Sequence, residues 1–204
     1  MKEVDLVIVT GSLNNVKEAS ISGTKSIGVG QGNVTSIVDE TADLKQTVNK
    51  IKSSKIFDNA TSCSSENNLI IIKDVYEKVI NLFLKNGAYL LNKKQKDLLY
   101  KKLWIDRKLN RKLIAKSATF IANKVNLNVR EDTKILMVKE NGVGSSHLFS
   151  GEKLSPILTV YKARNFSEAK KLTHKILNYQ GIGHSIGIHT KVGQRVLDLG
   201  LELP

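Results

Sequence analysis

The chain has 204 residues, 41% of them hydrophobic, and carries 32 basic against 19 acidic residues for a formal net charge of +13. That length supports one sizeable core, no apolar run is long enough to cross a membrane, and no charged-then-apolar leader opens the chain. One cysteine excludes an internal disulfide framework, no CxxC or HxxxH spacing offers a metal site, and a reducing cytoplasm is the expected setting.

In chain order, "VDLVIVT" (4–10) is a β-branched run of the kind buried in a parallel sheet. It ends in Thr10-Gly11-Ser12, after which "LNNVKEASIS" reads as a helix and "SGTKSIGVG" as a strand, one slice of a wound βαβ sheet. "NVTSIVDE" is another strand. Thr41 is placed to cap a helix through "ADLKQTVNKIKSSKIF", with Asp43 in its first turn. The polar loop "FDNATSCSSEN" (57–67) follows, then the strand "NLIIIK" (68–73) and the helix "DVYEKVINLFLKNG", closed by Gly87. "AYLL" reads as a strand and 93–125 as basic amphipathic helices. "TKILMVK" (133–139) and "PILTVYKA" (156–163) are strands, "FSEAKKLTHKILNYQ" a helix, "HSIGIHT" a strand and "KVGQRVLDLGLE" a last helix. The alternation makes the class α/β. Both ends look unfinished, so the chain is expected to be part of a larger subunit or to pair with another chain.

The charge raises a nucleic-acid reading. Against it, only five basic residues are arginine, and the densest cluster (92–112) is broken by leucines at helical spacing, as in a solvated helix face. Attraction of an anionic substrate or cofactor is a milder use of the same charge.

Cys63 is the residue that draws chemistry. A lone cysteine is commonly a small core hydrophobe, but Asn59, Thr61, Ser62, Ser64, Ser65, Glu66 and Asn67 make a poor core. On a polar loop between elements, a thiol is exposed and backbone N–H groups are at hand for a thiolate or an oxyanion.

The stretch "GVGQGNVTSIVDETADLKQTVNKIKSSKIFDNATSCSSENNLIII" resembles the nucleophile segment of the aldehyde dehydrogenase superfamily, in its CoA-acylating branch. Three further segments match in order. "TGSLNNVKEA" (10–19) resembles the family's Thr-Gly-Ser/Gly turn, "GEKLSPIL" (151–158) its Glu-x-hydrophobic-Gly/Ser-Pro segment, and "GIGHSIGIHT" (181–190) the branch's Gly-His strand. The resemblance implies a three-layer α/β/α catalytic domain over 31–204, incomplete at its C-terminus, with 1–30 a remnant of a Rossmann-type cofactor domain. It implies oxidation of a small aldehyde with NAD or NADP and transfer of the acyl group to coenzyme A, in a subunit that is a homo-oligomer at full length. Cys63 would attack the carbonyl, pass through a thiohemiacetal to a thioester, and give its backbone N–H to the oxyanion hole. Glu152 would bind the ribose beside the nicotinamide, while Thr10, Gly11 and Ser12 line the nicotinamide end of the cleft. His184 is a candidate proton shuttle for the CoA thiol.

Read without the resemblance, Thr10-Gly11-Ser12 is a tight strand-to-helix turn, "GVGQG" (28–32) an ordinary glycine loop, Glu152 a surface carboxylate and His184 a satisfied buried histidine. Two absences bear on the chemistry. Hydrolytic members of the superfamily carry a glutamate base in a Glu-Leu-Gly-Gly segment, and the matching stretch 26–38 has no carboxylate, which favours acyl transfer over hydrolysis. The family's second oxyanion donor, an asparagine, lies in a segment before the first strand seen here, and loss of such a donor costs about a hundred- to a thousandfold in rate. The rivals are therefore a truncated, non-catalytic relative and, behind it, a basic nucleic-acid-binding module.

Overall fold

The computed structural model describes residues 2–11 and 13–203; Ser12 lies outside the described residues. The chain opens with β1 (Val7–Thr10), α1 (Leu13–Ser20) and β2 (Ser26–Val29), and the two strands pair in parallel as a sheet of their own. β1 is half-buried on alternate residues, with Ile8 73% exposed, and so departs from the buried run expected of "VDLVIVT". The reason is local: β1 pairs with β2 alone among the described residues. Gly28 in β2 is a packing glycine, since a Cβ there would meet Val16 of α1 at 2.6 Å.

The main body follows. It contains β3 (Thr35–Val38), α2 (Leu44–Ile56), β4 (Asn68–Ile72), α3 (Lys73–Lys85), β5 (Ala88–Leu90) and α4 (Lys93–Leu103). A small antiparallel hairpin, β6 (Trp104–Ile105) and β7 (Lys108–Leu109), precedes α5 (Ala118–Lys124). β8 (Ile135–Lys139), β9 (Ile157–Ala163), α6 (Phe166–Tyr179), β10 (Ile186–His189) and α7 (Gly193–Glu202) complete it. Six strands form one parallel sheet in the order β10-β3-β4-β9-β8-β5.

Alternate strand residues face opposite layers. Val38, Leu69, Ile71, Ile135, Met137, Leu158 and Val160 pack under α2 and α3. Leu136, Val138 and Ile157 face the α4–α5 region, and Ile37, Ile70, Tyr161 and Ala163 face α6 and α7. The result is the expected three-layer α/β/α arrangement.

Two expectations need correction. Thr41 does not cap α2; Asp43 does, its carboxylate accepting from the Gln46 N–H at 3.0 Å, while the Thr41 hydroxyl donates to Asp39 at 2.7 Å. Residues 93–125 are not continuous helix, because the β6–β7 hairpin interrupts them with Asp106 and Arg107 at φ 48° and 63°.

The far edge is tied by charge. Arg195 of α7 donates to the fully buried carboxylate of Asp39 at the end of β3 and to Glu40. Burial pushes the Asp39 carboxyl up, but hydrogen bonds from Thr190, Thr41 and Arg195 outweigh it and hold the group below its ordinary value. Arg195→Met leaves that buried charge without its cation and is expected to cost about 3 kcal/mol in urea unfolding at pH 7. A carboxyl with a depressed folded pKa loses its stabilising contribution as pH falls below its unfolded value, about 3.9. The gap between parent and variant is therefore expected to narrow at acid pH.

Candidate functional site

Cys63 is reached through a strained turn. α2 ends at Ile56, and Asp58, Asn59 and Ala60 then take φ 46°, 49° and 61° in succession. Asp and Asn tolerate the left-handed region, whereas alanine pays about 1–2 kcal/mol to enter it. The turn is held by the Thr61 hydroxyl, which donates to Asp58 O at 2.7 Å and to its carboxylate at 2.5 Å. The Asn59 side chain also donates to Ala115 O at 3.1 Å. Cys63 follows, exposed, and Asn67 N–H and Asn68 N–H both donate to Val34 O where β4 begins.

The strand order gathers the other candidates. His184 precedes β10, Gln31 and Gly32 precede β3, Cys63 precedes β4 and Glu152 precedes β9, and these four strands are neighbours. All four loops stand at the amino edge of the parallel sheet. Gly32 is the contact point: a Cβ on it would lie 2.7 Å from Cys63 O and 3.2 Å from His184 Nε2. The Gln31 side chain hydrogen-bonds Glu152. His184 is half-buried, and its Nδ1 accepts from Ser185 N–H at 2.8 Å, so the neutral ring carries its hydrogen on Nε2, the nitrogen beside Gly32. Thr10 and Gly11 are exposed at the end of β1; Thr10 pairs with Val29, which runs through Gly30 into Gln31.

A buried polar network fixes these loops. Asn33 Nδ2 donates to Ser150 O at 2.8 Å and Gln180 O at 3.2 Å, and Asn68 Nδ2 donates to Asn33 Oδ1 at 2.9 Å. Glu152 N–H donates to the Gln180 side chain, and Lys153 N–H to the Asn67 side chain. The wholly buried Lys153 amino group donates to Phe149 O at 2.8 Å and Gly151 O at 2.7 Å, and burial pushes it well below the ordinary lysine value.

Glu152 is buried, not a surface carboxylate, and burial pushes its carboxyl above the ordinary value against the opposing pull of Gln31, Lys153 and Lys55. Lys55, in the last turn of α2, is also wholly buried; desolvation brings its ammonium down to about 7, with Glu66 and Glu152 opposing. The structure thus brings Cys63, His184 and Glu152 to one edge, with Thr10 and Gly11 at the end of the strand pair that leads into it. Sequence reading missed Gln31, Gly32, Lys55, Glu66, Lys153 and the asparagines. For Lys55 a signal existed, because it falls on the buried stripe of Thr47, Val48 and Ile51.

No family model matches the chain. It is 44% identical over 206 residues to sulfoacetaldehyde dehydrogenase (acylating) of Cupriavidus necator, covering 100% of this chain and 42% of that protein. It is 41% identical over 205 residues to the enzyme of the same name from Bilophila wadsworthia, covering 98% and 44%. The crystal structure of an acetylating aldehyde dehydrogenase from Geobacillus thermoglucosidasius superposes with a TM-score of 0.96 at 35% identity, over 100% of this chain and 45% of that one. The chain therefore spans less than half the length of these relatives.

Two substitutions test the site's construction. Gly32→Ala must displace Cys63 O or the His184 ring, and is expected to alter the rate of Cys63 alkylation while the circular dichroism spectrum stays that of the parent. Ala60→Gly relieves the left-handed strain at some cost in chain entropy. Ala60 is also buried, so loss of its methyl offsets the remainder, and stability is expected to stay within about 0.5 kcal/mol of the parent in urea titration.

Proposed function

We propose that this chain, homologous along its whole length to part of the CoA-acylating aldehyde dehydrogenases, carries the nucleophile-bearing portion of such an enzyme. Residues 31–204 are read as catalytic-domain sequence and 1–30 as cofactor-domain sequence, in line with the separate two-stranded sheet. The observation that carries the proposal is the convergence of Cys63, His184 and Glu152 on the Gln31–Gly32 segment.

In this reading the Cys63 sulfur adds to the carbonyl of a small aldehyde, giving a thiohemiacetal whose oxyanion is met by the Cys63 backbone N–H. NAD or NADP, when bound, supplies the hydride acceptor. The thiol of CoA then displaces Cys63 from the resulting thioester, its proton passing to the departing Cys63 thiolate, with His184 read as the candidate shuttle. The residues suit a dinucleotide. The buried Glu152 carboxylate is an acceptor of the kind a ribose diol needs, and the exposed Thr10-Gly11 turn, with Gly11 at φ 126°, leaves backbone open to a ring; Ser12 is read as part of the same turn. The stretch 26–38 offers no carboxylate to activate water, which leaves the thioester to the external thiol. No described helix is long and apolar enough to cross a membrane, and we read the setting as cytoplasmic. Exposed Val196, Leu197 and Leu201 on α7, with Ile8 and Ile27 on the strand pair, support association with further protein, as in a homo-oligomer.

Incubation with acetaldehyde or sulfoacetaldehyde and NAD or NADP is expected to acylate Cys63, seen by intact mass, with release on adding CoA. Cys63→Ser is expected to abolish both. A folded parent that stays unacylated supports the second reading, a relative that holds the nucleophile without turnover, which the exposed position of Cys63 also fits.

A further inference from the structure

Lys55 has no role in the chemistry above, yet its burial is costly. It is fully buried, and its Nζ has no hydrogen-bond partner among the described residues. A buried lysine is normally paired, because an uncompensated ammonium in the interior loses its hydration. Lysine at this position of α2 takes a place on the helix's buried stripe that an aliphatic side chain would fill without penalty.

Its surroundings give a reason. The charged groups that act on Lys55 are Glu66, three residues after Cys63 on the loop entering β4, and Glu152 and Lys153, on the loop entering β9. Lys153 is spoken for by Phe149 O and Gly151 O. Glu66 has one buried carboxylate oxygen, Oε2, that is itself without a partner among the described residues. Lys55 Nζ and Glu66 Oε2 are thus both buried without a hydrogen-bond partner among the described residues, and Glu66 and Glu152 are the carboxylates that act on Lys55. Lys55 also lies in the last turn of its helix, the end at which the backbone dipole favours a cation.

We propose that Lys55 is a positioning residue for Cys63: its ammonium group counterbalances Glu66 and Glu152 from beneath, so that their negative charge does not oppose the thiolate. This deepens the reading of Cys63 as nucleophile and rests on it. The lowered folded pKa, about 7, makes the hold fullest below neutrality and weaker as pH rises through that value.

Cys63 is the chain's only thiol, so its alkylation by iodoacetamide reads the effect directly, without aldehyde or dinucleotide. Lys55→Met leaves the carboxylates unbalanced and is expected to slow alkylation at pH 6.5 by about threefold. Adding Glu66→Gln to Lys55→Met is expected to recover the parent rate, a rescue that a purely space-filling lysine would not give. A Lys55→Met protein of parental circular dichroism and parental alkylation profile overturns the idea, as does failure of the second substitution to rescue. Should Lys55→Met not fold, Lys55→Arg decides. The parent rate between pH 7 and 8 is expected to climb less steeply than a single thiol ionisation, and Lys55→Arg, which keeps its charge, to follow the single ionisation. Coincident curves overturn the idea. Absence of acylation alongside an intact Lys55 effect would remove the proposed reaction and leave this inference standing.

Discussion

The carboxamides of Asn33 and Asn68 hold the site together. They stand at the entries of neighbouring parallel strands, joined by the 2.9 Å bond from Asn68 Nδ2 to Asn33 Oδ1. Both amides donate to Ser150 O on the loop toward β9, and Asn33 donates also to Gln180 O on the loop toward β10. Four loops that are far apart in sequence are thereby fixed by one buried pair. Each bond is worth only about 1 kcal/mol net, but losing one partner exposes the desolvation cost of the other, about 1–3 kcal/mol. The position of Glu152 follows from this pair, because its backbone N–H binds the side chain of Gln180, whose carbonyl Asn33 holds.

Open parallel sheets commonly bind ligands beyond the carboxyl ends of their strands, where helix N-termini gather. The candidate residues here sit at the opposite edge. Helix C-termini point to this edge, and two of them deliver its chemistry: α2 leads into the Cys63 loop and α6 into the Gly181–His184 turn. A C-terminal dipole end repels an anion. The same end favours a cation, and Lys55 lies in the last turn of α2.

The alternation of strands and helices was legible in the sequence because the buried strands are β-branched runs, such as "NLIIIK" and "TKILMVK", and the intervening helices are amphipathic. What was not legible has particular physical causes. The β6–β7 hairpin turns on Asp106-Arg107, without the glycine that usually marks a turn with both central φ positive. Thr41 is a good cap by residue type, but the buried Asp39 carboxylate takes its hydroxyl and N–H, leaving Asp43 to cap α2. At the site, Cys63 stood out by its polar neighbours, whereas Gly32 looked like any loop glycine. Its close approach to Cys63 and His184 depends on strand order, which local sequence does not encode. Lys55 was hidden among many lysines, and only its register on the stripe separates it from them.

The strong basic balance resolves in the same way. Arginine is the side chain suited to gripping phosphate with a fork of donors. Four of the five arginines are committed within the chain: Arg195 to Asp39 and Glu40, Arg164 to Glu168, Arg130 to Asp132 and Arg107 to Ser145 O. Several lysines lie over rings of the protein itself, Lys116 and Lys124 over Phe120, Lys139 and Lys162 over Tyr76. Such cations cover apolar surface as much as they advertise charge. A net charge summed over the sequence weights an exposed lysine and a buried one equally, although solvent screens the first and a low dielectric strengthens the second. The two lysines turned fully inward, Lys55 and Lys153, are therefore the ones whose charge a plain count misjudges most.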